Sequence, residues 1–153
     1  MYLDASALAK LYFQEPDSDQ LNALLVGRRD LVTSDLAVTE IVSSLCRRHR
    51  ERAIGSAAVL AAQRAILDHL AAGVFRRAEL LPEVHREAER LLISLAGVAL
   101  RAADALHLAL AKATGCASVV TFDRRMAAAA GPAGLDPVPE HGAPPPAPVS
   151  RRR

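Results

Sequence analysis

Two rhythms of apolar residues alternate along this chain. Short, nearly continuous apolar runs of strand length are separated by longer stretches in which apolar positions recur every three or four residues, the period of a helix with one buried face. Tyr2-Leu3-Asp4 is a short apolar stub closed by a carboxylate. From Ala5 to Phe13, the residues Ala5, Leu8, Ala9 and Tyr12 share one helical face. Pro16 ends that helix, and Asp17 or Ser18 can cap the next, which runs from Asp19 to Val26 and stops at Gly27. Asp30-Leu31-Val32-Thr33-Ser34 fits a short buried strand, and Ala37 to Arg52 returns to helical periodicity.

Beyond Gly55 and Ser56 a long alanine-rich helix is expected, reaching Ala72 and ending at Gly73. Val74 to Leu81 suits a strand with basic residues in its middle. Pro82, favoured at a first helical position, opens a helix to Leu95. Leu100 to Ala113 reads as a strongly apolar helix, Ala117 to Phe122 is the clearest strand, and Asp123 stands at its end. A short helix, Arg124 to Ala130, follows. Strands alternating with helices, without tight hairpin signals, indicate an α/β fold with a mainly parallel sheet. Residues 1–131 form the expected domain. Residues 132–153, rich in Pro and Gly, read as a tail with one edge strand near Val138.

Composition sharpens this picture only slightly. A chain of 153 residues, 51% apolar, holds one domain with a real core. Aromatic residues make up 3%, so packing rests on Leu, Val, Ile and Ala. The formal charge of +2 is too small to argue for nucleic acid, although the excess of Arg over Lys suits phosphate. Cys46 and Cys116 are too few for a disulfide framework and lack metal-ligand spacing, so free, buried thiols are expected. The opening residues lack a signal peptide and no uncharged stretch approaches membrane-spanning length, so the expected location is the cytoplasm, with no membrane partner.

Candidate chemistry lies in four acids. In an open parallel sheet, ligands bind beyond the carboxyl ends of the strands. Asp4 and Asp123 both stand where a strand ends, while Glu40 and Asp104 lie near the starts of helices at that edge. Any one of them could be a cap or a salt-bridge partner. Converging carboxylates, however, repel unless a cation neutralises them, and carboxylate oxygens suit Mg²⁺ or Mn²⁺. His107, one turn after Asp104, can face the same site, although a packed or hydrogen-bonded structural histidine is the commoner case.

These residues resemble a family. Tyr2-Leu3-Asp4-Ala5-Ser6-Ala7-Leu8, followed by Lys10-Leu11-Tyr12 and Glu15-Pro16, is similar to the start of PIN-domain toxins of the VapC type. Asp104-Ala105-Leu106-His107-Leu108-Ala109 and Thr121-Phe122-Asp123 resemble the family's later signatures, and Glu40 occupies the place of its acidic helix residue. Ala5 departs from a frequent Thr. The resemblance implies a three-layer PIN-like fold, a mainly parallel sheet flanked by helices, and Mg²⁺- or Mn²⁺-dependent endoribonuclease activity on RNA. It implies Asp4, Glu40, Asp104 and Asp123 as catalytic residues, Asp4 and Asp104 being the direct metal ligands. Ser6 and Thr121 would orient carboxylates. It also implies a small DNA-binding antitoxin as partner, and a homodimer. The alternatives are a non-catalytic PIN-like binding module and a small-substrate phosphohydrolase. The Arg47 to Arg52 cluster is a candidate RNA track, against the plainer reading of a solvated helix end.

Overall fold

The computed structural model describes residues 1–139. Its strands are β1 (Tyr2–Leu3), β2 (Val32–Ser34), β3 (Arg76–Ala78), β4 (Ser118–Val120) and β5 (Asp136–Val138). They form one sheet in the order β3-β2-β1-β4-β5, with every neighbouring pair parallel. The helices are α1 (Ala5–Tyr12), α2 (Ser18–Leu25), α3 (Asp35–Arg50), α4 (Ser56–Ala71), α5 (Pro82–Ser94), α6 (Ala102–Ala113) and α7 (Arg124–Ala130). The expected α/β alternation is thus present, and the edge strand expected near Val138 pairs with β4. The rest of the C-terminal segment, from residue 140, lies outside the described residues.

Successive strand side chains point to opposite faces, so even these very short strands feed two cores. Tyr2, aligned with Val32 and Val119, packs on one side with residues of α5, α6 and α7. Leu3, aligned with Val120, packs on the other with residues of α1 to α4. The result is three layers, helices on both faces of the sheet. Each fully buried Leu or Ile, such as Leu8, Ile66 or Leu108, contributes about 1.5–3 kcal/mol through removal of apolar surface from water.

β2 and β4 are shorter than expected, at Val32–Ser34 and Ser118–Val120, and two further differences have a local cause. β3 is shorter than the span from Val74 to Leu81. Gly73, at φ +71°, turns the chain just before it, and Leu81 is already the cap of α5. β3 is also an edge strand, and its exposed Arg76 and Arg77 keep that edge charged. Helix α3 begins at Asp35 because Ser34, the last residue of β2, caps it by accepting the Ala37 N–H at 3.2 Å. Cys46 and Cys116 are free but only half-buried.

Candidate active site

In the sheet order, β1 lies between β2 and β4. The chain winds outward from β1 through β2 to β3, then returns to β1's other side to lay down β4 and β5. That reversal falls between β1 and β4, and the carboxyl ends at such a switch are where open α/β sheets place their ligands. Asp4 follows β1 directly, and Thr121, Phe122 and Asp123 follow β4.

Asp4 is the cap of α1 and is only 4% exposed. Its Oδ1 accepts from the Ala7 N–H at 2.8 Å and from the Ser6 hydroxyl at 2.7 Å. Its Oδ2 accepts from the Thr121 hydroxyl at 2.7 Å and lies 3.0 Å from the same Ser6 Oγ. Both hydroxyls are themselves held from behind: Ser6 Oγ accepts the Phe122 N–H at 2.7 Å, and Thr121 Oγ1 accepts the Asp123 N–H at 3.0 Å. A carboxylate offers about four lone-pair sites. One N–H and two O–H donors therefore orient Asp4 without saturating it. Burial pushes its carboxyl above the ordinary value of 3.8, and His107, the Ala7 N–H, Ser6 and Thr121 only partly oppose this.

Glu40 lies on α3, half-exposed, and its Oε2 is 2.6 Å from Nε2 of the buried His107 on α6. Nδ1 of the same imidazole is 2.7 Å from the Tyr2 hydroxyl, which is 2.7 Å from Ser34 Oγ. The Tyr2 phenol is strongly raised, first by burial, while Ser34 lowers it and the charges of Asp4 and Glu40 add to the rise. Both carboxylates are therefore within electrostatic reach of one buried hydroxyl.

Asp104, at the third position of α6, accepts the Arg101 N–H at 3.0 Å and so caps its helix. It precedes His107 by three residues, which puts both side chains on one helical face. Asp123 caps α7 through Oδ1, accepting from Arg125 N at 2.7 Å and Met126 N at 3.3 Å. The capping reading of Asp4, Asp104 and Asp123 is thus found in the structure.

Asp4 and Asp123 share Thr121, and Glu40 bonds His107, which lies one turn along α6 from Asp104. Tyr2 relates Glu40 to Asp4, since it bonds His107 directly and feels both charges. Among the described residues, no three Asp, Glu, His or Cys side chains stand close enough to enclose a metal ion on their own. The donor set is nevertheless all hard oxygen, and Mg²⁺ is commonly held by one or two carboxylates while keeping several waters and phosphate oxygens. The residues fit such an ion.

Ser34 and Tyr2 were not legible as parts of this site, because Tyr2 reads in sequence as one residue of an apolar stub. For His107 the signal was its spacing of three from Asp104. The Arg47 to Arg52 cluster lies towards the end of α3, whereas Glu40 lies nearer its start, about 10–15 Å back along the axis. Arg48 is engaged with Glu15 at 2.8 Å. Arg101, Arg124 and Arg125, beside Asp104 and Asp123, are the guanidinium groups nearest in sequence to the candidate acids.

Comparison with known proteins agrees with this architecture. Residues 1–132 match the PIN domain family. The chain is 34% identical over 143 residues to "Ribonuclease VapC46" of Mycobacterium tuberculosis, covering 88% of this chain and 93% of that protein. It is 37% identical over 146 residues to "Ribonuclease VapC45" of the same species, covering 90% and 98%. Among solved structures, the Mycobacterium tuberculosis toxin VapC20, described as cleaving the sarcin–ricin loop, superposes with a TM-score of 0.67 at 22% identity, over 84% of this chain and 93% of that one. FitAcB from Neisseria gonorrhoeae gives 0.63 at 17% identity, over 89% and 94%. The structural likenesses speak to the fold, the sequence likenesses to the family. By its sheet order, by the match over residues 1–132 and by its identity to these ribonucleases, the chain belongs to the PIN-domain family, among the VapC ribonucleases.

Proposed function

We propose that this protein is a divalent-metal-dependent endoribonuclease and the toxin of a toxin–antitoxin pair, acting through Asp4, Glu40, Asp104 and Asp123. The observation that carries the reading is Asp4. A carboxylate 4% exposed, raised by burial and held by two hydroxyls at the carboxyl ends of β1 and β4, is costly to maintain without a cation to face it.

Asp4 and Asp104 would hold Mg²⁺ or Mn²⁺ directly, with Glu40 and Asp123 completing the site through water. Bound there, the ion would lower the pKa of a water and clamp a phosphate oxygen. The chain's own part is to orient. Ser6 and Thr121 hold Asp4, His107 holds Glu40, and helix caps hold Asp104 and Asp123. Arg101, Arg124 and Arg125 are suited to bind the RNA backbone. RNA as substrate rests on the relatives, which are named as ribonucleases. A small DNA-binding antitoxin, a homodimer and a cytoplasmic location belong to the same reading. Among the described residues no helix is long and apolar enough to cross a membrane.

The test is cleavage of total RNA with Mg²⁺, Mn²⁺ or a chelator, by wild type, Asp4→Ala and Asp104→Ala. Metal-dependent cleavage by the wild type, lost in both variants, is expected. Equal cleavage by all three sinks the site assignment. Turnover of small phosphoesters without RNA cleavage turns the reading to a phosphohydrolase.

A further inference from the structure

Glu40 is held by a line of hydrogen bonds, mostly buried, that runs through four elements, β2, β1, α6 and α3. Ser34 Oγ, Tyr2 Oη, His107 and Glu40 follow one another at 2.7, 2.7 and 2.6 Å. Tyr2 and Ser34 are 0% exposed and His107 4%. One end of the line sets a proton's place. Nε2 meets a carboxylate, which when ionised can only accept, so Nε2 carries a proton and donates to Oε2. Nδ1 pairs with the Tyr2 hydroxyl, which in turn pairs with Ser34 Oγ, itself the acceptor of the Ala37 N–H. Among the described residues, no buried side-chain nitrogen or oxygen lacks a partner.

Apolar side chains would fill this space at lower desolvation cost, so packing gives no reason for four polar groups in a row. The line does have one mechanical result. A glutamate 35% exposed on a helix would ordinarily sample several rotamers. Here a charge-assisted bond from a rigid, buried ring holds one carboxylate oxygen.

We propose that Ser34, Tyr2 and His107 are positioning residues that fix the rotamer of Glu40, engaging Oε2 and leaving Oε1 for the acidic site. This rests on the divalent-metal reading given above. Groups that orient metal-binding side chains typically matter by about 10–100-fold in affinity or activity.

The probe is Tyr2→Phe, which removes one hydroxyl and keeps the ring, with three readouts: calorimetric titration with Mn²⁺ alone, ¹⁵N spectra of the histidine ring, and steady-state RNA cleavage. The wild type should show Nε2 of His107 protonated, and the variant a mixture in which Nε2 has partly lost its proton. Mn²⁺ affinity and kcat should fall about tenfold with KM unchanged. Both losses should vanish when Tyr2→Phe is placed in a Glu40→Gln background. Wild-type Mn²⁺ affinity in Tyr2→Phe, or an equal loss in the Glu40→Gln background, overturns the proposal, as does a wild type that binds no Mn²⁺. If Tyr2→Phe does not fold, His107→Gln and His107→Leu replace it. The glutamine amide can still donate to Glu40 and should retain Mn²⁺ affinity that leucine loses, and equal affinities overturn the proposal. A wild type that binds Mn²⁺ but leaves RNA intact defeats the ribonuclease reading alone, and calorimetry and the ring spectra then decide the positioning role.

Discussion

Thr121 Oγ1 donates to Asp4 Oδ2 over 2.7 Å, and with the Phe122 N–H to Ser6 Oγ bond it ties the carboxyl ends of β1 and β4 together across the switch in strand order. Thr121 Oγ1 also accepts the Asp123 N–H, so one hydroxyl serves both acids. Thr121→Val keeps the shape and removes donor and acceptor together. Since the site is fully buried, the expected loss is about 1–3 kcal/mol of stability, measured by urea unfolding. Nuclease activity should fall as well, because Asp4 loses one of the groups that aim it.

Stability should depend on pH through Asp4. Burial first, against the influence of His107 and its hydrogen bonds, raises its carboxyl in the folded protein above the ordinary 3.8. Between the unfolded and folded values the native state binds more protons, so the contribution of this group falls as pH rises. It is fully present below 3.8 and is lost as pH passes upward through the folded value. With a chelator present, wild type should therefore lose stability with rising pH more steeply than Asp4→Asn. Added Mn²⁺ should reverse that loss at neutral pH, since an ion bound only to the folded state stabilises it. Parallel urea titrations across the acid-to-neutral range check both, and coincident slopes for the two proteins would rule the effect out.

Asp104 has two separable roles. As a helix cap it accepts the Arg101 N–H at 3.0 Å; as a proposed ligand it supplies negative charge. Asp104→Asn preserves an acceptor for that N–H and should unfold within about 0.5 kcal/mol of wild type. Asp104→Ala removes the bond and should cost about 1 kcal/mol. Both should lose metal-dependent cleavage. An Asn variant with full activity would reduce Asp104 to its capping role.

Much of the fold was readable along the chain. The helical stretches, the strand end at Asp4 and the edge strand at Val138 follow from apolar periodicity and turn residues, whereas β4 ends at Val120, three residues short of Asp123, which caps α7 instead. Where expectation and structure differ, a local device was overlooked. Ser34 reads as the end of a strand but also caps α3, and Gly73 with Leu81 trims β3 to Arg76–Ala78. The basic run at Arg47 to Arg52 is conspicuous in sequence, yet it ends a 16-residue helix that carries it away from Glu40.

By itself the sequence determined which segments become helix and strand, and which acids stand at element ends. Those outcomes depend on residues a few positions apart, whose side chains share a helical face or alternate across a strand. Only the tertiary structure decided what these acids touch. Asp4 meets Thr121 across 117 positions, Tyr2 meets His107 across 105, and His107 meets Glu40 across 67. Such contacts require β1 to lie between β2 and β4 with Tyr2 facing α6, and strand order and facing are properties of the assembled sheet. A buried hydroxyl or imidazole must find its partner wherever packing puts it. Tyr2 could thus be read as an apolar residue from its neighbours in the chain, while its neighbours in space make it part of the acidic site.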